Sequence, residues 1–163
     1  MAFDAYLQID GIKGESTDKV HKDWIAVLSY SHGLSQPVSS ASGTGGRTSQ
    51  RVDIQGFSIV KELDNASPLL ALYCCNGKHI PKVLLELSEA SENPHVYMKY
   101  TLEDAIVSSV RPGGSTQGGD NKPLEEVTFH FGKIKWEYKQ IDSPGKPGEP
   151  QITGWDLTTN QKL

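Results

Sequence analysis

Residues able to do chemistry are scattered through this chain of 163 residues, and their spacing limits what they could do. Five histidines, His21, His32, His79, His95 and His130, are potential metal ligands and general bases. None belongs to a His-Glu-x-x-His run and none is closely paired in sequence. A metal site would have to be assembled entirely by the fold. Most of the histidines read as surface residues, and neither a metal nor a cofactor is expected. Glu103-Asp104 and Glu125-Glu126 are the acidic pairs that hydrolysis of a glycosidic bond would need. Neighbours in a strand point to opposite faces, so neither pair can act as acid and base together. Solvated edge charges that discourage stray strand pairing are the expected role. Gly43-Thr44-Gly45-Gly46-Arg47-Thr48 looks like a phosphate loop only superficially, lacking both the third glycine of the dinucleotide pattern and the Gly-Lys-Ser/Thr of a P-loop. Gly56-Phe57-Ser58-Ile59-Val60 fails the nucleophile-elbow pattern at its last position. No catalytic residue is expected.

The other reactive groups read the same way. Cys74 and Cys75 are adjacent, so a bridge between them would need a strained ring, and two reduced thiols of a cytosolic protein are expected. Trp24, Trp136 and Trp155 could line a sugar groove, but two of them sit in apolar-periodic strands and read as core. Twenty acidic against 16 basic residues leave a formal net charge of -4, with no basic footprint for nucleic acid or anionic lipid. The opening Met1-Ala2-Phe3-Asp4-Ala5-Tyr6 has no basic or apolar signal region, and no apolar stretch approaches a membrane span.

Strands must position these residues, because the dominant hydrophobic period is two. Phe3, Ala5, Leu7 and Ile9 alternate with polar residues as a half-buried strand. Trp24 to Tyr30 is more continuously apolar and reads as a strand covered on both faces. From Arg51 to Leu63 the parity switches at Gln55-Gly56, where a glycine bulge is expected. His79 to Leu87 and His95 to Val110 are further strand stretches, the second bent near Glu103-Asp104. Glu126 to Gln140 is the longest, with Gly132 marking a register slip, and a last strand runs from Gln151 to Leu157. Two glycine-marked slips fit a strongly curved sheet or a closed barrel. Ser67-Pro68 starts the one helix, with the Ser67 hydroxyl as N-cap, and Asn76-Gly77 stops it; Leu69, Leu72 and Tyr73 form its packing face. Arg111 to Pro123 and Ser143 to Pro150 read as polar connections that interrupt β-pairing.

The run from Gly33 to Ser49 is a long polar loop between two strand segments. Its one charge is Arg47, so it can dock through backbone and hydroxyl hydrogen bonds but offers nothing for acid, base or metal chemistry. The loop points toward assembly.

Lys13-Gly14-Glu15-Ser16, then Val27-Leu28-Ser29-Tyr30-Ser31-His32-Gly33 leading into that loop, resemble the haemolysin-coregulated protein (Hcp) family of type VI secretion systems. The likeness continues in order through Cys75-Asn76-Gly77-Lys78-His79-Ile80-Pro81, Val107-Ser108-Ser109-Val110, Pro123-Leu124-Glu125-Glu126-Val127 and Gly154-Trp155-Asp156-Leu157, and covers essentially the whole chain. No single motif is diagnostic; their collinear order is. With nothing beyond Leu163, the chain resembles the plain tube-forming members.

The resemblance implies a mainly β chain with a single domain over 1–163. Its fold would be a β-barrel of two curved, mostly antiparallel sheets with one short flanking α-helix (about Ser67–Asn76) and a long extended loop (about Leu34–Gln50). It implies homo-hexameric rings that stack into a tube within a contractile sheath, capped by a spike protein and expelled from the cytoplasm without a cleaved signal. The lumen of such a tube can carry small effector proteins. By the same resemblance Gln36, Pro37, Val38, Ser39, Ser40, Thr44 and Arg47 are expected in a ring-stacking loop, and Ser29 and Ser31 on a polar strand end facing the lumen and cargo. Nucleic acid and membrane insertion are not expected. Two other classes stay open on the residues alone. One is a monomeric carbohydrate- or ligand-binding β-barrel with Trp and Tyr as stacking platform. The other is a hydrolase, which would show an acid or base with a strongly displaced pKa in a cleft.

Overall fold

The computed structural model describes residues 2–39, 48–117, 122–142 and 146–163. Along them run β1 (Phe3–Ile9), β2 (Ile25–Val27), β3 (Ser29–Ser31), β4 (Leu34–Ser35), β5 (Val38–Ser39), β6 (Thr48–Ser49), β7 (Asp53–Ile54), β8 (Phe57–Glu62), α1 (Ser67–Asn76), β9 (Ile80–Glu89), β10 (Val96–Gly113), β11 (Leu124–Asp142), β12 (Lys146–Asp156) and β13 (Gln161–Lys162). The main sheet has the order β13-β12-β11-β10-β9-β1-β2, with β8 on the first half of β11 and β3 on β8. Its pairings are antiparallel. The run Ile25–Ser31 pairs with β1 through β2 and with β8 through β3, and at the joint the Leu28 N–H donates to Val60 O at 2.8 Å. The hydrogen-bonded path therefore returns to the segment where it began, and the strands wrap one core of Leu7, Ile25, Phe57, Ile59, Leu85, Leu102, Phe129 and Ile134. A barrel wall has only one inner face, so Trp24–Tyr30 is not covered on both sides as expected: Ala26 is exposed, and so is Leu28, at 55%.

The barrel turns its corner where β10 and β11 roll over together. Leu124–Phe129 of β11 pairs with β8, whereas Lys133–Asp142 pairs with β12. At the hand-over Asp104 takes a left-handed conformation (φ 53°) opposite Gly132. Inward residues change parity on both strands at this point, from Val107 and Ala105 to Leu102 and from Val127 and Phe129 to Ile134. Ala105↔Phe131 and Glu103↔Lys133 nevertheless keep one register, so the slip expected at Gly132 is a joint turn-over; the shift in pairing lies between Val107 and Ser109. A Cβ at Gly132 would stand 3.2 Å from Asp104 Oδ2, closer than ordinary contact. The parity switch expected at Gln55-Gly56 is present, but as a break between β7 and β8, which take different partners. Both polar connections are shorter than expected. Arg111–Gly113 pairs with Leu124–Glu126, and Lys146 to Pro150 already pairs along β11, its prolines lying on a strand with little pairing on its far side.

Helix α1 spans Ser67–Asn76 and ends at Gly77 in the left-handed conformation (φ 63°), as the Asn-Gly stop predicts. Its N-cap is Ala66, not Ser67, and its buried residues are Leu70 and Tyr73, leaving Leu69 and Leu72 exposed. The Ser67 hydroxyl is diverted to a buried ionic cluster. Lys61 Nζ, wholly buried, donates to Asp64 Oδ1 (2.8 Å), Ser67 Oγ (3.1 Å) and Glu62 O (3.2 Å), and lies 2.8 Å from Glu125 Oε2. Ser67 Oγ in turn donates to Glu125 Oε2 at 2.8 Å. Glu125 is thus a buried counter-ion, not the solvated edge charge expected, while Glu126 faces outward.

Burying charge is tolerable only while every partner is present. Lys61→Met, which strands the buried Glu125 carboxylate, is expected to cost about 3–5 kcal/mol of unfolding free energy, read as a lower denaturant midpoint at unchanged slope. A loss below about 1 kcal/mol would contradict the cluster's role.

Candidate functional site

Strand alternation creates a hydroxyl-rich outer face. Tyr30, between two serines, turns inward: its ring stacks on Phe57 (centroids 6.0 Å apart) and its hydroxyl lies 3.4 Å from that of Tyr100. Burial and that Tyr30 contact push the Tyr100 phenol well above its usual range. Ser29 and Ser31 consequently face outward and are exposed. Ser31 is paired with Ser58 and Ser58 with Thr128, and directly opposed residues share a face. The Ser58 and Thr128 hydroxyls are 2.8 Å apart, and Ser108 Oγ donates to Thr128 O at 3.1 Å. Four strands, β3, β8, β11 and β10, therefore present small uncharged donors and acceptors to whatever lies outside. Ser29 and Ser31 were legible in the sequence. Ser58 and Ser108 entered the sequence reading only inside other motifs and Thr128 not at all, although Ser58 alternates with the apolar Phe57 and Ile59.

The long loop is a paired arm at its root. Leu34↔Ile54 and Ser35↔Asp53 join β4 to β7, and Val38↔Ser49 and Ser39↔Thr48 join β5 to β6. The long extended loop expected over about Leu34–Gln50 is thus paired at its root, each side finding a strand partner that its polar composition did not advertise. Gln50 N–H donates to Gln36 Oε1 at 2.9 Å across the arm. Gln36, Pro37 and Val38 are exposed; Ser39 is placed by its backbone pairing alone, and Ser40, Thr44 and Arg47 lie outside the described residues. Arg51 Nη2 donates to Leu157 O (3.0 Å) and Gln55 N–H to Gly33 O (3.0 Å), tying the arm to the barrel.

Between arm and barrel runs a groove of about 510 Å³, walled by Leu34, Val52 and Ile54 on one side and Trp136, Thr153 and Trp155 on the other. Trp136 and Trp155 pack on the core as expected but are only half-buried, and the Trp155 indole N–H, itself buried, has no acceptor among the described residues. The groove is more apolar than the hydroxyl face, so the two surfaces suit different partners.

The titratable groups are held in structural pairs. His21 is buried, contrary to the surface reading, with Nδ1 2.8 Å from Asp18 Oδ2 and Nε2 2.8 Å from Glu86 Oε2. Its ring stacks on Tyr6 (4.4 Å) and meets Trp24 edge-on (4.7 Å), which fastens the strand-poor segment 13–24 onto the sheet. The hydrogen bond to His21 holds the Asp18 carboxyl below the usual carboxylate range. A hydrogen bond from the Thr158 hydroxyl, at 2.6 Å, does the same for Asp156. Burial pushes the His32 imidazole below its usual range, and its ring packs 5.2 Å from that of Phe57. His79 pairs with Asp104 at 2.7 Å in solvent, beside the barrel corner. Cys74 is half-buried and Cys75 exposed, both free. Among the described residues, no group of three or more His, Cys, Asp and Glu is arranged to hold a metal ion, and no helix is long and apolar enough to cross a membrane.

A family model described as "Type VI secretion system effector, Hcp" matches residues 6–138. The chain is 38% identical over 162 residues to protein hcp1 of Pseudomonas aeruginosa, with 98% of each chain covered. Among solved structures it is similar to a type six secretion system protein (TM-score 0.94, 34% identity, 99% of this chain and 100% of the other) and to Hcp1 from Salmonella typhimurium (TM-score 0.82, 37% identity, 100% of each).

The Asp18–His21 contact makes an acid-limb prediction. Because the folded-state pKa of Asp18 is lowered, its contribution to stability is present above the unfolded value of about 3.9 and is lost as pH falls through the folded value. Asp18→Asn is expected to lower stability near neutral pH and to flatten the fall below about pH 4, followed by thermal unfolding against pH. An acid limb identical to that of the unmutated protein would contradict the contact.

Proposed function

The chain belongs to the Hcp family of type VI secretion system proteins, and from that premise we propose that it is a tube subunit that works by shape and has no turnover chemistry. Six copies close into a ring, and rings stack into a tube inside the sheath, below the spike protein. The tube leaves the cytoplasm with the secretion event.

The observation that carries this reading is the family match over residues 6–138, and apolar side chains left exposed outside the barrel accord with it. Leu28, Leu34, Val38 and Ile152 are 50 to 61% exposed, on elements as different as the β2–β3 joint, the arm and β12. Large apolar side chains scattered over separate outer faces are satisfied when distinct patches of neighbouring copies meet head to tail, and such contacts make a ring when the rotation closes.

The arm is assigned to ring stacking through Gln36, Pro37, Val38, Ser39, Ser40, Thr44 and Arg47. The single cation and many hydroxyls of its Gly33–Ser49 run favour a joint that forms and releases, as a tube that grows and disassembles requires. The hydroxyl face is assigned to the lumen, with Ser29 and Ser31 touching cargo. Small hydrogen-bonding groups on that wall, beside the outward Glu126 and Arg111, accommodate varied small effectors.

Deleting Ser39 to Gly46 is expected to leave rings intact in light scattering and to abolish tubes in electron micrographs; unchanged tubes would refute the stacking role. Ser31→Phe is expected to keep the ring and reduce co-purification of an effector, and undiminished retention would refute the cargo assignment.

A further inference from the structure

Asn76 is the only one of the five asparagines in the sequence that precedes a glycine, and the helix end holds it ready for reaction with its own backbone. It closes α1, and Gly77 follows in the left-handed conformation (φ 63°, ψ 30°) with nothing within 4 Å of where a Cβ would stand. Asn76, Gly77 and Lys78 are all exposed. The Lys78 N–H donates to Asn76 Oδ1 at 3.0 Å. A bond from a side-chain carbonyl to the N–H two residues on folds that carbonyl back across the intervening peptide nitrogen, here that of Gly77. Lys78 is itself tethered: its Nζ donates to Tyr73 Oη at 3.2 Å and lies 4.7 Å over the ring of that buried tyrosine.

We propose that Asn76-Gly77 is a self-modifying site at which the asparagine side chain is deamidated by the following backbone nitrogen. Gly77 N loses its proton to hydroxide and forms a bond to Asn76 Cγ, and the electron pair of the Cγ=Oδ1 bond moves onto Oδ1. The Lys78 N–H already bonded to Oδ1 faces the charge that develops there, as an oxyanion donor does. Collapse breaks the Cγ–Nδ2 bond, and the nitrogen leaves as ammonia after taking a proton from water. A five-membered imide remains. Water then adds to one of its two carbonyls, giving aspartate or an isoaspartate whose backbone runs through the side chain. One water is consumed and one ammonia released, with no oxidation or reduction.

Gly77 carries no side chain to shield the attacking nitrogen. The other described asparagines lack this arrangement: Asn65 precedes Ala66, Asn160 precedes Gln161, and Asn93 precedes Pro94, whose nitrogen has no proton to lose. Either product places a carboxylate at the C-terminal end of α1, where free carbonyls already make the potential negative. The isoaspartate also lengthens the backbone beside the left-handed turn. The helix end thus loosens with the age of the molecule.

The test is timed incubation of the folded full chain at mildly alkaline pH in heavy-oxygen water, followed by tryptic mass spectrometry. The peptide Glu62–Lys78 carries both Asn65 and Asn76, so one asparagine serves as reference for the other. The expected result is heavy-oxygen incorporation on Asn76 and not on Asn65, faster at higher pH, at a rate within about tenfold of that of the denatured chain. Asn76→Gln, which leaves the turn donor in place, is expected to abolish it. Absence of labelling at Asn76, or a folded rate slower than that tenfold bound, would overturn the proposal, since the turn would then protect the amide.

Discussion

The fold depends on one constraint: two long strands must pass from one wall of the barrel to the next without giving up their mutual hydrogen bonds. β10 and β11 meet it at Asp104 and Gly132, where both reverse their inward parity while Ala105↔Phe131 and Glu103↔Lys133 stay in register. Only this lets β8 and β12 share one edge of β11 in succession. Had one strand alone turned over, side chains of opposite face would meet across the pair and the inner wall would lose Ile134 or Phe129 to solvent. A left-handed aspartate opposite a glycine stores some backbone strain. The surrounding ladder, and the Leu157 N–H donated to Gly132 O at 2.8 Å, hold it.

Two segments without regular strands are then fixed by clusters of polar and charged side chains. Lys61, Asp64 and Glu125 anchor the start of α1, and Asp18, His21 and Glu86 anchor the segment before β2. Such clusters add less net stability than apolar packing of the same volume, but they tolerate one arrangement only. The outer faces, in contrast, present hydroxyls on β3, β8, β11 and β10, and apolar side chains on the β2–β3 joint, the arm and β12. Buried polar clusters fix the shape of the chain, while hydroxyl and apolar side chains are exposed outside among the surface charges.

Period-two alternation made the long strands and the half-buried side of β1 legible, and Ser67-Pro68 with Asn76-Gly77 bracketed the helix. Ser29 and Ser31 were readable as a polar strand end, although the strand leading to them was read as covered on both faces. What the sequence hid depends on neighbours distant along the chain. Arg111–Gly113 and Lys146 to Pro150 are strands because β11 offers partners, not because their side chains alternate. Glu125 reads as a surface charge until Lys61 is brought against it, and His21 as a surface histidine until β9 supplies Glu86. The arm was read as a loop because its pairing partners lie on the two sides of a long polar run. Its order in the family likeness, and not its composition, pointed to a role in stacking.

Exposed leucine, valine and isoleucine stand on separate outer walls, and the proposed ring would cover them with neighbouring copies. Native mass determination of the purified protein at high concentration tests this most directly. The account predicts a particle of about six times the 17.8 kDa chain mass, or whole multiples of that particle. A persistent single-chain mass would contradict it.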